Sequence, residues 1–494
     1  MVVGKTMAMG WALPVAALLA ACGGGDGGSD GDGGGGPDLA IPTWSQRIEP
    51  FEPKSATALK GAAQAPAASP AVASAAATGV IALAALPAVL TKSAAASAGV
   101  GVPHQIGVAR SVPEAADAAR TAALLQWQPT ARGTQVAALR FESPGARGLR
   151  LGVLVQALPT GAVLRFHGAA PEAALQISAQ ELQALAERNA GAGAADEVAH
   201  TYWSPDLGAA QATLEVEIPA DAQPAAVRLA VPRLSHFTQT AADAEAASLT
   251  KAAAAGSCLV DVSCRPDYLE QSRSVARMTF VAQDGNAYYC SGTLLNDAAS
   301  SGTPYFLSAQ HCIASQAVAS TLETDWLYRS ASCNGADQHS GARRLRGGAR
   351  LLYASASTDT AFMQLNDPAP AGIIHAGSYY GGVPIGMALA GLHHPEGAWQ
   401  SISLGSVLHY GNCANESCSP NSGENGSFLA VTWQQGSTEG GSSGSGVFVT
   451  IGAQRYLAGQ LHGGLASCAS PSAADYYGRF DLSYRAAIKR WLNP

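Results

Sequence analysis

The chain has 494 residues, a formal net charge of −7 and only 13 % charged residues. This length leaves room for two or three domains, while a chain that is acidic overall has no basic surface for nucleic acid. Composition therefore excludes a nucleic-acid-binding protein and leaves the function to local motifs.

The first 40 residues are typical of an export signal followed by a tether. Lys5 precedes an apolar run that is too short to span a membrane, and the run ends as "LAAC" at Cys22. This ending resembles the bacterial lipoprotein box, in which the cysteine is lipidated. Residues 1–21 then form a lipoprotein-type signal peptide and residues 22–40, rich in glycine and aspartate, a flexible tether.

The resemblance implies an exported precursor at the outer membrane or cell surface, held to the membrane only by the lipid on Cys22. The alternative is an ordinary signal peptide with an incidental cysteine.

Residues 41–251 are expected to form a mostly β pro-region. The alanine-rich part, residues 55–125, predicts partial disorder. "ATLEVEIP" alternates apolar and acidic residues and predicts a half-buried strand, while Ser178 and Glu181 predict a helix that begins with a capping box. This region contains no cysteine and no cluster of reactive groups, which favours an accessory segment over a second enzyme.

The cysteines are distributed unevenly along the chain. After Cys22, eight cysteines are confined to residues 258–468. An even number in an exported chain predicts four disulfides, and their spacing lacks the paired motif of a zinc site. The eight cysteines allow 105 pairings, so the sequence leaves the connectivity open.

The last half of the chain carries many short strands at close spacing, such as "YYCSGTLLN", "PYFLSAQHC" and "RYLAGQLHGG". Such a pattern predicts a β-sandwich or a β-barrel. The expected class is therefore all-β.

Three residues in this half have the types and order needed for acyl transfer. The chemistry requires a hydroxyl nucleophile, an imidazole that takes its proton and a carboxylate that orients the imidazole. His311 follows an apolar strand, Asp359 precedes another, and Ser443 lies in "EGGSSGSG". The order His, Asp, Ser is the chymotrypsin-like one.

From about residue 256 onward the chain resembles the secreted bacterial lysyl endopeptidases, which are chymotrypsin-like serine proteases. The motifs are "GSCLVDVSC", "CSGTLLND", "YFLSAQHC", "STDTAFMQLND", "HHP", "GSSGS", "GQLHGG" and "DYYGR", in that order. The resemblance implies two antiparallel β-barrels, over residues 258–375 and 376–482, followed by a helix over 484–492. Residues 252–494 then form the protease domain.

The same resemblance implies roles for the catalytic residues. His311 is the general base, Asp359 orients it, and Ser443 is the nucleophile. The backbone N–H groups of Gly441 and Ser443 form the oxyanion hole, which explains the glycines around the serine. The protein is then a serine endopeptidase that acts on proteins or peptides and needs neither cofactor nor metal.

The family pairing implies three disulfides, which are Cys258–Cys468, Cys264–Cys333 and Cys290–Cys312. Cys413 and Cys418 are left over and are able to close a small loop of their own.

The substrate pocket differs from that of trypsin. The position that carries the pocket carboxylate in trypsin-like enzymes is Ser437 here. The resemblance instead assigns Asp475, which would pair with a substrate ammonium or guanidinium.

The resemblance also places His462 beside the site, with Gly463 and Gly464 offering a strand edge to the substrate backbone. The family tryptophan that stacks on this histidine has no certain counterpart, and Tyr410 is the nearest candidate.

Lysine use is consistent with cleavage after lysine. The protease half contains one lysine, Lys489, against twelve arginines, and Lys251 stands alone in the linker before the first protease cysteine. We therefore expect self-cleavage after Lys251, with the pro-region acting as a folding aid and inhibitor until then.

Three alternatives stay open. The first is a protease that prefers arginine or accepts both basic residues, and the second is a surface lipoprotein that binds peptides without cutting them. His393, His394 and Glu396 also suggest a metal, but they lack the H-E-x-x-H spacing, so a structural role is expected for them.

Overall fold

The computed structural model of the chain describes residues 44–53, 78–87, 99–170, 174–240, 243, 245–246, 258–414 and 416–494. The predicted signal peptide, the tether with Cys22 and the linker with Lys251 lie outside these residues. Among the helices that are described, none has the length and apolar character needed to cross a bilayer.

The described residues up to Phe237 contribute eleven strands. They are β1 (Arg47–Ile48), β2 (Thr78–Ala82), β3 (His104–Ser111), β4 (Gln128–Pro129), β5 (Thr134–Glu142), β6 (Gly148–Ala157), β7 (Val163–His167), β8 (Leu175–Ser178), β9 (Thr201–Trp203), β10 (Gln211–Pro219) and β11 (Arg228–Phe237). The α-helices here are Ala118–Leu124, Ala179–Gly191 and Asp196–Ala199, and the 3₁₀ turns are Pro113–Ala115 and Pro224–Ala226.

Strands β2 to β11 and these helices form an amino-terminal domain. One sheet has the order β2-β5-β10-β7-β8, with β4 on β5, and a second runs from β3 through β11 and β6 to β9. The apolar faces of both sheets meet in one core that includes Leu139, Leu151 and Leu214. The predicted capping box is present, because the Ser178 hydroxyl accepts from the Glu181 backbone and the Glu181 side chain accepts from the Ser178 backbone.

Strand β10 is more buried than its alternating pattern predicts. Leu214, Val216 and Ile218 face the core as expected, but Glu215 and Glu217 are also buried. Both glutamates pair with Arg165 on the adjacent strand β7, at 2.9 and 2.5 Å. A buried charge requires such a partner, and the partner lies about 50 residues away along the chain.

The described residues from Cys258 onward contribute sixteen further strands. They are β12 (Val260–Asp261), β13 (Val275–Val281), β14 (Ala287–Leu295), β15 (Tyr305–Ala309), β16 (Glu323–Trp326), β17 (Arg343–Leu345), β18 (Ala349–Ser355), β19 (Thr360–Leu365), β20 (Gly377–Tyr379), β21 (Ala388–His393), β22 (Ser401–Ala414), β23 (Ser417–Asn421), β24 (Phe428–Gln435), β25 (Gly446–Ile451), β26 (Gln454–Gly464) and β27 (Ala474–Arg479). Short helices are Leu269–Ser272, Gln316–Ala319, Phe480–Ser483 and Lys489–Leu492, with 3₁₀ turns at Val262–Cys264, Pro266–Tyr268 and Pro395–Gly397 and a π-turn at Tyr484–Ile488.

These strands form the two predicted barrels, and the expected C-terminal helix follows them. The second barrel is closed by the cycle β21-β22-β24-β27-β26-β25, in which β25 returns to β21. The first barrel, from β17 through β16, β13, β14, β15 and β19 to β18, stays open. The all-β, chymotrypsin-like double barrel expected from the sequence is thus confirmed.

The amino-terminal domain joins the first barrel through a shared sheet. β3 pairs antiparallel with β11 of its own domain and with β14 of the barrel, where His104 lies opposite Tyr289. Part of the alanine-rich segment over 55–125 therefore forms strands and a helix. Its composition did not reveal this because the pairing partners are distant in sequence.

A buried arginine links the same two domains. Arg150 of β6 donates to the backbone carbonyl of Thr321 at 2.9 Å, and its guanidinium lies 3.9 Å from the Glu323 carboxylate. The interface between the domains therefore contains buried charge in addition to the shared sheet.

The first described residues, 44–53, contact the protease half of the chain, where β1 pairs antiparallel with β20. We call residues 44–53 the amino-terminal strap.

Candidate active site

Two adjacent antiparallel strands bring His311 and Asp359 together. β15 ends at Ala309, β19 begins at Thr360, and these two residues are paired. Asp359 Oδ2 accepts a hydrogen bond from His311 Nδ1 at 2.6 Å, while Asp359 Oδ1 accepts from the His311 backbone N–H at 2.8 Å. The carboxylate thus fixes both the ring and the main chain of His311.

A second histidine shares this carboxylate. His462, on β26, places its Nδ1 2.7 Å from Asp359 Oδ2, and its ring meets that of His311 edge-on, with centroids 5.7 Å apart. Burial alone would raise the pKa of Asp359, but the two histidines outweigh it and lower the pKa to about 2. Asp359 is therefore ionised at neutral pH.

The outer nitrogens of both histidines lack partners. His311 Nε2 and His462 Nε2 are buried and make no hydrogen bond with the part of the chain that is described. Because each Nδ1 donates to the ionised carboxylate, Nε2 of a neutral ring carries the lone pair. For His311 this is the tautomer that takes a proton from a hydroxyl.

Ser443 lies on a glycine-rich turn between β24 and β25. Gly441 and Gly444 have φ values of +87° and +79°, which favour glycine. A Cβ at Gly444 would collide with the Ser308 side chain on β15, so glycine lets the turn pack against the strand that leads to His311. The Ser443 hydroxyl makes no hydrogen bond with other described residues.

Two backbone donors of this turn are also unengaged. The N–H groups of Gly441 and Ser443 have no acceptor among the residues with described positions, whereas those of Ser442 and Gly444 donate to backbone carbonyls at 3.0 and 2.7 Å. Free N–H groups beside a nucleophile are what an oxyanion hole requires.

Two buried histidines support the serine turn. His393 contacts the Ser442 hydroxyl through Nδ1 at 2.9 Å and the Ser403 hydroxyl through Nε2 at 3.0 Å. His394 donates from Nδ1 to the carbonyl of Ala398 at 3.0 Å. Burial lowers the pKa of both imidazoles to about 3, so both are neutral. His393 holds the serine turn through Ser442, whereas the His394 ring holds the neighbouring chain at Ala398.

Among the described residues, one group of possible metal ligands contains no disulfide-bonded cysteine. His311, Asp359 and His462 place ligand atoms within 4.8 Å of one another. However, the shared Asp359 oxygen is engaged by both Nδ1 atoms, so the geometry is that of a hydrogen-bonded array.

Asp475 is fully buried on β27 and uses only one of its oxygens. Oδ2 accepts from Trp433 Nε1 at 2.7 Å and from the Thr438 hydroxyl at 2.6 Å. Oδ1 has no hydrogen-bond partner among the described residues, and the Ala466 backbone N–H lowers the pKa of this carboxyl. Burial raises the pKa of Asp475 to about 6, against the opposing effect of the Thr438 and Trp433 hydrogen bonds.

The backbone of β26 comes close to the free oxygen because residue 464 is a glycine. A Cβ at Gly464 would lie 2.5 Å from Asp475 Oδ1. The sequence did not predict Trp433 or Thr438 as supports of this carboxylate. The position of Thr438 directly after Ser437 was the available signal.

The aromatic neighbour of His462 is Phe428, with ring centroids 5.3 Å apart, and not Tyr410. Tyr410 instead donates its hydroxyl to the carbonyl of Val383 at 2.7 Å and packs under Arg479. The expectation for Tyr410 is corrected because the ladder between β22 and β24 pairs Tyr410 with Leu429, one residue beyond Phe428.

A disulfide also lies against His462. Cys413 and Cys418 are opposite each other in the hairpin of β22 and β23 and are bonded. Both sulfurs and a ring nitrogen of His462 lie within 4.8 Å of one another. The hairpin disulfide and Phe428 therefore pack around the imidazole.

The other disulfides follow the family pairing, and the described cysteines form four bonds in total. They are Cys258–Cys468, Cys264–Cys333, Cys290–Cys312 and Cys413–Cys418.

Residues 99–104, which we call the crossing segment, lie across this site. A Cβ at Gly101 would be 2.5 Å from His462 Cε1, and a Cβ at Gly463 would be 3.0 Å from the Gly101 nitrogen. The segment thus covers the strand edge that sequence analysis assigned to the substrate.

The crossing segment leaves the site beside the serine turn. A Cβ at Gly440 would lie 2.9 Å from His104 Nδ1, and β3 then continues along β14. This placement could not be predicted, because "GVGVPHQ" carries no motif of its own.

Two family models match the chain. The model described as the lysyl endopeptidase C-terminal domain matches residues 252–478, and the one described as the lysyl endopeptidase N-terminal domain matches residues 77–238. A lysyl endopeptidase of Pseudomonas aeruginosa is 32 % identical over 419 residues, which cover 80 % of this chain and 82 % of that protein.

Solved serine proteases resemble the chain over less than half of its length. The thermostable serine protease AL20 from an extremophilic microorganism is 14 % identical, with a TM-score of 0.30, over 44 % of this chain and 94 % of that one. The HtrA-type protease AlgW with tripeptide is 15 % identical, with a TM-score of 0.32, over 46 % and 62 %. On the family models and the Pseudomonas relative together, this chain belongs to the lysyl endopeptidase family and is a serine endopeptidase.

Proposed function

We propose that the protein cleaves peptide bonds after lysine, with Ser443 as nucleophile, His311 as general base and Asp359 as the orienting carboxylate. The main support for this proposal is the hydrogen bond from His311 Nδ1 to Asp359, together with the buried His311 Nε2, which has no partner among the described residues. This tautomer is the one the reaction needs.

In the first step, Ser443 Oγ attacks the scissile carbonyl carbon while His311 Nε2 takes the hydroxyl proton. Asp359 stabilises the imidazolium that forms, and the N–H groups of Gly441 and Ser443 stabilise the oxyanion. His311 then gives the proton to the leaving amine as the C–N bond breaks. Water attacks the acyl-enzyme by the same route and releases the acid.

Asp475 supports a preference for lysine over arginine. A substrate ammonium needs one oxygen of the buried carboxylate, and Oδ1 is free. A guanidinium binds a carboxylate best through two parallel hydrogen bonds, but Oδ2 is already occupied by Trp433 and Thr438. The alternative of arginine or mixed basic specificity is therefore the less favoured one.

The crossing segment supports the expectation that the pro-region, residues 41–251, restrains the protease. Its main chain at Gly101 fills the space over His462 and Gly463 that a substrate strand would use. We propose that cutting after Lys251, by the enzyme itself, begins the release of this restraint. The shared sheet of β3 and β14 supports a second role of the pro-region in the folding of the first barrel.

The sequence supports export of this precursor, with lipidation of Cys22 as its attachment to the outer membrane or cell surface.

The test uses peptides that differ only in the residue before the scissile bond, which is lysine, arginine or the uncharged norleucine. We expect kcat/KM for the lysyl peptide to exceed that for the arginyl peptide by about 100-fold, roughly 3 kcal/mol. The Ser443→Ala variant should lose activity on all three. Equal rates for lysine and arginine would refute the specificity, and full activity of Ser443→Ala would refute the mechanism.

A further inference from the structure

The amino-terminal strap is paired with the protease domain through its backbone. Arg47 and Ile48 lie opposite Tyr379 and Ser378 of β20. Further along, the strap exchanges two backbone hydrogen bonds of 2.9 Å between Phe51 and His375. Because β20 pairs with β26 on its other side, the strap completes the edge of this sheet.

The strap also fills part of the protease core. Ile48 is only 4 % exposed and belongs to the apolar cluster that contains Leu307 and Phe362. Trp44 packs on Tyr379, with ring centroids 5.6 Å apart. Such contacts stabilise through apolar surface removed from water.

The main chain of the strap comes so close that one position of β20 must be glycine. A Cβ at Gly377 would lie 2.6 Å from the Ile48 carbonyl oxygen. The surface of the protease domain is therefore shaped to receive this strand.

Polar contacts fix the position of the strap along the strand. Arg273 holds the Glu52 carboxylate with two hydrogen bonds, of 2.6 and 3.1 Å. Tyr456 donates to the Glu49 carboxylate at 2.6 Å, and the Asn296 amide donates to the Glu49 carbonyl at 2.9 Å. These three donors belong to the protease domain.

Lysines in the sequence separate the strap from the rest of the pro-region. Lys54 follows it directly, Lys60 and Lys92 come next, and Lys251 precedes the protease domain. The strap itself and the described residues of the amino-terminal domain contain no lysine. Cleavage after these lysines would therefore separate strap, amino-terminal domain and protease domain without cutting the strands of the strap or of the amino-terminal domain.

We propose that the strap stays bound to the protease domain after the chain between them has been cut. Each cut consumes one water and leaves a lysine carboxylate and a new amino group, so the strap becomes a separate peptide held without a covalent link. Attachment of the mature protease to a membrane then depends on the proposed lipidation of Cys22. The strap keeps the protease at the membrane surface, where processing alone would release it.

The experiment uses the Ser443→Ala chain, so that it depends neither on self-cleavage nor on lysine specificity. An affinity tag replaces residues 1–22, and recognition sequences for an unrelated site-specific protease are inserted after residues 62 and 247. After complete cutting, the tag is captured and the fraction of protease domain that it retains is measured. We expect nearly all of the protease domain to be retained under native buffer and to be released by denaturant.

Matched variants tie retention to the strap. Ile48→Asp should lower the retained fraction at least tenfold, while Val80→Asp, at a residue of β2 that is 50 % exposed, should leave it unchanged. Glu52→Arg should weaken retention, and Glu52→Arg with Arg273→Glu should restore part of it. Release of the protease domain with the native strap after both cuts, or equal retention by Ile48→Asp, would overturn the proposal.

Discussion

The main chain at Gly101 lies directly over His462, with the position of a Cβ only 2.5 Å from the ring Cε1. Gly101 has a φ of +69°, so both the space and the backbone conformation require glycine. Since His462 shares the Asp359 carboxylate with His311, the crossing segment touches the hydrogen-bonded array itself. With substrate bound along Gly463 as proposed, the uncut chain should be nearly inactive because the crossing segment covers that strand edge.

Replacement of Gly101 by valine should raise the activity of the uncut chain. The side chain would overlap the His462 ring and would also disfavour the positive φ by about 1–2 kcal/mol. In a chain that carries Lys251→Ala, hydrolysis of a small lysyl ester should rise about tenfold, with intact mass confirming that the linker is uncut. Gly133→Val is the control, because Gly133 has a φ of +72° and nothing within 4 Å of its Cβ position. Equal activity of the two variants would contradict the occlusion.

Asp475→Asn should reduce kcat/KM for lysyl peptides by about 100-fold, since a substrate ammonium would lose its charged partner, at a cost of about 3 kcal/mol. Cleavage of the norleucyl peptide should change little. A similar loss on both peptides would mean that Asp475 supports the fold of the site and does not select the substrate.

The same carboxylate should shape the pH dependence of the native enzyme. Because burial raises the pKa of Asp475 to about 6, kcat/KM for lysyl peptides should climb as the pH rises through 6 and the carboxyl ionises. The norleucyl peptide reports only the remaining groups, so the ratio of the two rates isolates Asp475. A ratio that is constant from pH 5 to 8 would contradict this assignment.

The free energy of unfolding should fall over the same pH range in which kcat/KM rises. The folded pKa of Asp475 lies above its ordinary value of 3.8, so the folded state binds the proton more tightly and loses stability as the pH rises from about 4 through 6. In the Ser443→Ala background, Asp475→Asn should therefore raise the free energy of unfolding at pH 8 by about 3 kcal/mol relative to the parent, and Tm should rise with it. At pH 4 the two chains should differ little. Thermal unfolding at the two pH values measures this difference, and a fall in Tm at pH 8 would count against it.

Removal of the hairpin disulfide should impair catalysis more than binding. The Cys413→Ala and Cys418→Ala double variant loses the sulfurs that pack against His462, so the imidazole holds Asp359 less firmly and kcat should fall about tenfold, as small misplacements at a reacting site do. KM should change less, and the pH profile of kcat should shift. The control is the Cys264→Ala and Cys333→Ala pair, which closes a much longer loop and should lower stability without the kcat effect. Equal changes in kcat for both pairs would show a general loss of folding.

Much of this architecture could be predicted from the sequence because it depends on local signals. The capping box at Ser178, the strand before His311 and the glycines around Ser443 each show in a few adjacent residues. The resemblance then placed Asp475 and three of the disulfides on the chain.

Contacts between distant segments could not be predicted in this way. Phe428, and not Tyr410, lies beside His462. Tyr410 is opposite Leu429 in the ladder between β22 and β24, and a single sequence does not reveal such a strand register. Likewise, the burial of Glu215 depends on Arg165 of another strand. The crossing segment and the strap have ordinary sequences, and only the surfaces that receive them give them a role.

Intact mass and N-terminal sequencing of the expressed chain, beside its Ser443→Ala partner, test self-cleavage after Lys251 in one experiment. We expect the native chain to yield a fragment that begins at Ala252, whereas the variant stays uncut after Lys251. That result would show an active serine nucleophile, cleavage after lysine and self-maturation together. Cutting of both chains at the same bond would contradict self-processing and would remove the main support for lysine specificity.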